Sequence, residues 1–405
     1  MLKRRFMLAA TGSILCLSRS GRLAAQGTPT DKVTAGLDAG PAETPVGPLP
    51  INAKWAYVID HDTQTPLLDR NGTEPMPPSS MTKLMTLYIV YQRLKAGQLR
   101  LDQELPVSEH AWRMRGSRMF VEVGKTVPVE DLIRGVIVQS GNDATVVLAE
   151  AVAGSELAFV DLMNKEAQRI GLTASSFRNS TGWPDPEHHM SCRDIAVLAG
   201  HIISEFPEFQ HYEREKAFKY NGINQRNRNP LVQKDMADGM KTGHTDAGGF
   251  GLCATAERDG RRVVAVLNGM PSSAVRASES ERILNWSFQT FQNVTLFKAQ
   301  DPILQAEVWL GAEPTVPLVA AKDVVLTLPH DWKTSTKVQV GYDAPIAAPI
   351  AAGTPAGRAT ISTKGMKTAS IDLVTGADID RLALPQRVLA LISHQVETLV
   401  DGVIN

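Results

Sequence analysis

Only three cysteines occur in 405 residues, and one of them, Cys16, sits in an N-terminal apolar run. A disulfide-built scaffold is therefore excluded. Cys192 and Cys253 leave room for a single bridge in an oxidising compartment, but two widely separated cysteines are expected to be inert core thiols. Aromatic residues make up 6% of the chain, formal net charge is −1, and no basic stripe is interleaved with aromatics. Nucleic acid is not an expected partner. Apolar runs long enough to span a bilayer, about 20 residues, are also missing.

The one apolar run of note, Phe6 to Leu17, follows Lys3, Arg4 and Arg5 and precedes the small residues Ala24 and Ala25. That pattern predicts a signal peptide over 1–25 and an exported, cell-envelope protein. Arg19, Arg22 and Leu23 are untidy for such a signal. The Arg4-Arg5 pair admits a twin-arginine route, although general secretion is the favoured reading. Histidine clusters are equally scarce. Glu187-His188-His189 lacks a third ligand at useful spacing, so a surface loop is expected there, with neither metal nor cofactor.

With 43% hydrophobic and 21% charged residues, the chain has enough apolar material for two domains. Residues 27–50 hold five prolines, four glycines and no aromatic, which predicts a linker over 26–50. Trp55 to Ile59 reads as a strand with Pro66-Leu67-Leu68 as its hairpin partner. Helical periodicity fills most of 80–205, with Ser191 and Asp194 forming a capping box. Three further strands are expected over 239–245, 251–257 and 261–269, the last two joined by the Asp259-Gly260 turn. A helix from about Arg276 to Gln292 closes this unit, 51–295. Short β-type runs over 296–376 predict a small all-β domain without a catalytic cluster, whose expected role is spacer or partner-binding module. Over 385–405, Val388, Leu389, Ile392, Val396, Leu399, Val400 and Val403 fall on one arc, an amphipathic helix suited to weak docking on a membrane surface. Only Arg387 is basic there against Glu397 and Asp401, so packing back on the β-domain is the competing expectation.

Three tripeptide-scale motifs carry the chemistry: Ser80-Met81-Thr82-Lys83, Ser140-Gly141-Asn142 and Lys241-Thr242-Gly243. Residues three apart on a helix are neighbours, so the Lys83 amine is placed beside the Ser80 hydroxyl. A hydroxyl needs a partner that takes its proton, and an ordinary ammonium, with a pKa of about 10.4, cannot. Lys83 must therefore be desolvated or surrounded by positive charge. Each motif alone is bland: serine caps helices, Ser-Gly-Asn makes turns and Lys-Thr-Gly is a common surface tripeptide. Their order, with separations of 60 positions from Ser80 to Ser140 and 101 from Ser140 to Lys241, is not bland.

On these motifs, and on the longer strings Pro78 to Thr86, Leu132 to Gly135, Gln139 to Ala144, Asp238 to Thr245, Gly116 to Phe120 and Asn227 to Asn229, the chain resembles the serine-type D-alanyl-D-alanine carboxypeptidases. These are low-molecular-weight penicillin-binding proteins. The middle motif has glycine where class A β-lactamases have aspartate. The resemblance implies an α/β (α+β) chain with the penicillin-recognising serine transferase fold, an antiparallel sheet with helical layers. The small all-β domain and the C-terminal amphipathic helix then follow. It implies Ser80 as nucleophile, Lys83 as base, and Ser140 and Lys241 as proton relay, with Asn142 holding the Lys83 amine and the substrate amide. The Ser80 and His244 N–H groups, beside Gly243, would form the oxyanion hole, and Thr242 with Arg228 would hold the substrate carboxylate. Peptidoglycan stem peptides ending in D-Ala-D-Ala are the implied substrates and β-lactams the implied covalent inhibitors. A DD-endopeptidase uses the same groups and is the runner-up. A non-catalytic penicillin-sensing domain is the other alternative, disfavoured because no signalling span is evident. A β-lactamase would need a deacylating carboxylate between Ser140 and Lys241. Glu281, in a Glu-x-x-Leu-Asn string, comes after Lys241 and in a helix.

Overall fold

The computed structural model describes residues 40–388 and residue 390. The expected signal peptide and all but the first turn of the expected C-terminal helix lie outside these residues.

Two strands, β1 (Trp55–Asp60) and β2 (Pro66–Arg70), form the expected hairpin. The chain then enters a 3₁₀ turn at Ser79–Thr82 that runs into α1 (Lys83–Lys95). A helical body follows: β3 (Glu104–Pro106), α2 (Glu109–Arg113), β4 (Thr126–Pro128), α3 (Val129–Val138), α4 (Asn142–Ala153), α5 (Glu156–Arg169) and α6 (Cys192–Glu205). Short elements come next: α7 (Gln210–Glu213), the hairpin β5 (Ala217–Tyr220) and β6 (Ile223–Arg226), and α8 (Pro230–Gln233). The chain returns through β7 (Gly239–Thr245), β8 (Gly249–Arg258) and β9 (Arg261–Met270), and α9 (Ser273–Thr290) closes the unit. The strands order as β2-β1-β9-β8-β7, all antiparallel, so the last strands complete the sheet begun by the first.

This sheet is buried on both faces, which explains why its strands do not alternate apolar with polar. In β1 all six residues are buried. Trp55, Tyr57 and Ile59 join the core beneath α1, α3, α4 and α6, while Ala56 and Val58 join the core beneath α9. Strand β9 divides the same way, Val264 and Val266 against Val263, Ala265 and Leu267. Each fully buried side chain of this size contributes about 1.5–3 kcal/mol, and a charge at Val58 would be stranded between layers.

Residues 40–50 are not the free linker that their composition predicts. Ala42 is fully buried, Ala42 and Leu49 exchange backbone hydrogen bonds, and Glu43 pairs with Asp69 of β2. The proline-rich stretch thus covers the edge strand of the sheet, and its few apolar atoms are buried by that contact. A second unexpected device sits at the end of α9. The Arg261 guanidinium pairs with the fully buried Asp60 at 2.7 Å and donates to the carbonyls of Ser287 and Phe291. It thereby fixes the point where the catalytic unit hands over to the β-domain.

That domain starts at Phe291, slightly before the expected 296. Strand β10 (Phe291–Phe297) pairs with β13 (Val324–Pro329), and six strands form a second sheet. In order they are β14 (Thr336–Tyr342), β16 (Pro355–Thr363), β17 (Ala369–Thr375), β12 (Thr315–Ala320), β11 (Pro302–Trp309) and β15 (Ile346–Ala347). Cys192 and Cys253 are both buried and unbridged.

Candidate active site

The 3₁₀ turn, not α1 itself, carries Ser80. Residues three apart eclipse one another in a 3₁₀ turn, so the shift from the expected first α-helical turn brings Lys83 more squarely over Ser80. The Lys83 amine lies 3.0 Å from Ser80 Oγ, 2.7 Å from Asn142 Oδ1 and 2.6 Å from the Thr181 carbonyl. Lys83 is fully buried, and burial first, then the charges of Lys241 and Arg228, push its pKa well below the ordinary lysine value. A neutral amine has two N–H bonds and one lone pair. Asn142 Oδ1 and the Thr181 oxygen can only accept, so in the neutral form they would take both N–H bonds and leave the lone pair for the Ser80 hydroxyl.

Ser140 sits at φ +58° between α3 and α4, in the turn that its sequence predicts. Its Oγ accepts from the Lys241 amine at 2.9 Å. Lys241 is buried on β7, and burial, with help from Arg228, lowers its pKa to about 7. Asp143, the residue after Asn142, is fully buried and accepts from the backbone N–H groups of Met119, Phe120 and Val121. It pins the loop whose Ser117 receives a hydrogen bond from Arg228, while Asn142 donates to the Arg115 carbonyl at 2.7 Å.

Strand β7 runs against the nucleophile turn. A β-carbon at Gly243 would come within 2.9 Å of the Pro78 carbonyl and 3.4 Å of Ser80 N, so only glycine lets the strand approach this closely. Thr242 is buried, and His244 stacks on Phe250 with ring centroids 3.9 Å apart. Arg228 is exposed, and its charge bears on both Lys83 and Lys241. Behind it stands Arg276 of α9, which sequence reasoning missed. Arg276 donates to the Arg228 carbonyl at 3.4 Å, and burial, then Arg228, lowers its pKa. Hydrogen bonds join Lys83 to Ser80 and Asn142, and Lys241 to Ser140; the charges of Lys241 and Arg228 act on Lys83, and β7 carries Thr242, Gly243 and His244 past the nucleophile turn.

The support of this cleft includes a correction. His188 is not a surface-loop residue. It is 5% exposed, lies edge-on to Phe177, and its Nε2 is 2.9 Å from Thr82 Oγ1 inside the nucleophile turn. Because Nδ1 accepts from the Arg178 N–H, Nε2 must carry the proton and donate to Thr82. Burial, the largest cause, lowers the His188 pKa to about 4. The Thr181 carbonyl was also not anticipated. Asn179 Oδ1 gathers the N–H groups of Gly182 and Trp183, turning the loop so that this carbonyl faces Lys83. Among the described residues, no cluster of three or more His, Cys, Asp or Glu side chains is placed to hold a metal.

A half-buried serine, a buried lysine hydrogen-bonded to that serine, and a second serine–lysine pair define a penicillin-recognising serine hydrolase. The comparisons agree. Residues 42–272 match the D-alanyl-D-alanine carboxypeptidase family, and 291–381 match the C-terminal domain of penicillin-binding protein 5. The chain is 35% identical to the D-alanyl-D-alanine carboxypeptidase DacA of Haemophilus influenzae, over 82% of this chain and 87% of the relative. It is 32% identical to DacD of Salmonella typhimurium, over 98% of this chain and the full length of that protein. The solved penicillin-binding protein 5 from Haemophilus influenzae superposes with a TM-score of 0.71 at 35% identity, covering 82% of this chain and 99% of that one. The chain belongs to the D-alanyl-D-alanine carboxypeptidase family and is a serine hydrolase.

Proposed function

We propose that Ser80 attacks the carbonyl of the penultimate D-alanine in a stem peptide ending in D-Ala-D-Ala, and that Lys83 receives its hydroxyl proton. The observation that carries this reading is the set of Lys83 contacts, Asn142 Oδ1 and the Thr181 carbonyl as obligate acceptors beside Ser80 Oγ at 3.0 Å, which in a neutral amine leaves the lone pair for the Ser80 hydroxyl. The tetrahedral oxyanion is held by the Ser80 and His244 N–H groups, where one good donor is worth on the order of 10² to 10³ in rate. As the C–N bond breaks, the proton that Lys83 took from Ser80 is relayed through Ser140, hydrogen-bonded to Lys241, to the departing D-alanine amine, which leaves Lys83 neutral and Ser140 protonated. An ester on Ser80 remains, and water hydrolyses it with Lys83 again as base.

Thr242, Arg228 and Arg276 provide for the free carboxylate of the terminal D-alanine, and the carboxylate of a β-lactam imitates it. Two cations at this end of the cleft favour a substrate with a chain-terminal carboxylate, which suits a carboxypeptidase better than an endopeptidase. Product analysis with a pentapeptide ending in D-Ala-D-Ala tests the reading: one D-alanine per peptide is expected. Cleavage of a cross-linked dimer without D-alanine release would favour the endopeptidase. The leader pattern over 1–25 supports export, and the apolar stripe over 385–405 supports weak attachment to a membrane surface at the cell envelope.

A further inference from the structure

We propose that Glu213 is a positioning residue that sets the charge on Lys241 and, through it, the field in which Lys83 acts. This rests on the reading of Lys83 as the base and of Lys241 as its charged neighbour. Glu213 ends α7 and is 2% exposed, yet neither of its carboxylate oxygens has a hydrogen-bond partner among the described residues. An isolated carboxylate in such a place is costly unless a counter-charge answers it. The counter-charge is Lys241. Glu213 packs on β7 at Gly239, where an added β-carbon would stand 3.2 Å from the Glu213 β-carbon. On the neighbouring strand Thr255 stands opposite Gly239 and Cys253 opposite Lys241, and these two β8 residues, two apart, share a face, so Lys241 lies on the same face of the sheet as that contact.

The other groups facing this carboxylate give it no positive charge. They are Asp238 from the segment before β7, the Cys253 thiol from β8 and the Tyr91 hydroxyl from α1, itself buried and without a partner. Asp238 is already engaged by Arg262 at 2.8 Å. Burial raises the Glu213 pKa to about 7, while Lys241 opposes the rise, and Glu213 in turn holds the Lys241 pKa up against burial, Arg228 and Arg276. An ionised Glu213 therefore favours the Lys241 ammonium, and that ammonium favours a neutral Lys83. Removing the carboxylate reverses both effects. Lys241 then loses its proton at lower pH, and Lys83 keeps its own to higher pH.

The test is the pH profile of the second-order acylation rate with a fluorescent penicillin, measured on the whole protein between pH 5 and 10. Glu213→Gln keeps shape and removes charge. Its alkaline limb is expected to move down by about one pH unit, the low end for loss of a nearby opposite charge, and its acid limb is not expected to move down. Glu213→Asp keeps the charge slightly farther away, and its limb should fall between the two. A folded Glu213→Gln protein whose profile superimposes on the parent overturns the proposal, as does an Asp variant that shifts as far as Gln. Should the Gln variant not fold, an unmoved limb in the Asp variant overturns it. Ser80→Ala separates the two layers of argument. Labelling that survives that substitution removes the underlying mechanism, whereas an unmoved limb with Ser80-dependent labelling removes only the role of Glu213.

Discussion

Gly182 presses on Ser79: a β-carbon at Gly182 would stand 1.8 Å from the Ser79 carbonyl oxygen. Gly182 also has φ +79°, a conformation that glycine reaches without the strain of a side chain. The loop it belongs to delivers the Thr181 carbonyl to Lys83, so loop and nucleophile turn form one rigid contact. Gly182→Ala is expected to push them apart and to release the Thr181 hydrogen bond. Acylation by a fluorescent penicillin should fall by at least tenfold, with Tm lowered by several degrees. Parent-like labelling would show that the Thr181 contact is dispensable.

Lys83 and Lys241 are both buried lysines, but they should fail differently. Lys83→Ala removes the base, and acylation should drop by about 10² to 10⁴, the usual worth of a general base. Lys241→Gln leaves the base and removes one of the charges that keep it neutral. The Lys83 pKa then rises, and the acid limb of the acylation profile should move to higher pH. An unchanged acid limb in a still-active Lys241→Gln protein would argue against the electrostatic role.

These roles were legible in sequence because each needs a particular side chain at a particular spacing. Ser80 with Lys83 and the Asp259-Gly260 hairpin are local signals, and local geometry fulfils them. The Thr181 carbonyl left no signal, since any residue supplies a carbonyl and only the Asn179 turn aims it. His188 was misread because its loop has no periodicity, and its burial depends on Phe177 and Thr82, distant in sequence or in role. Composition reports flexibility of an isolated chain, whereas in residues 40–50 Glu43 is held by the edge of β2 and Ala42 pairs with Leu49. Arg276 escaped notice because an arginine on a helix of mixed polarity reads as solvent-facing until β8 and Arg228 are placed beside it.

His188 gives the fold a specific acid sensitivity. Its pKa is lowered from 6.5 to about 4 by burial, so the folded state prefers the neutral ring. For a base whose folded value is depressed, the stabilisation is full above the unfolded pKa and is lost as pH falls towards the folded one. The window is therefore pH 6.5 to 4, and the loss is on the order of 3 kcal/mol. His188→Gln keeps a donor for Thr82 and cannot titrate. Thermal denaturation from pH 7 to 4 should show the parent losing its Tm advantage over this variant across that window. A constant difference in Tm would mean that His188 is not what titrates.

The last expectation concerns the chain after the β-domain. Backbone at 384–388 is helical, and Leu384 and Val388 are exposed, at 73% and 54%. An apolar stripe that packed back on the β-domain would be expected to bury Val388, its first residue. The exposure of Val388 motivates the alternative that the stripe over 385–405 meets a lipid surface. No helix of the described residues is long and apolar enough to cross a membrane, so the contact would be interfacial. With Arg387 the only basic residue against Glu397 and Asp401, attraction to anionic lipid adds little, at roughly 1 kcal/mol per basic residue. Binding should therefore be weak, reversible and nearly indifferent to lipid charge. Sedimentation with neutral and anionic vesicles, comparing the mature protein with a version ending at Leu384, measures this directly. Partial pelleting of the longer protein alone, to a similar extent on both vesicle types, is expected, and equal recovery of both proteins in the supernatant would count against the anchor.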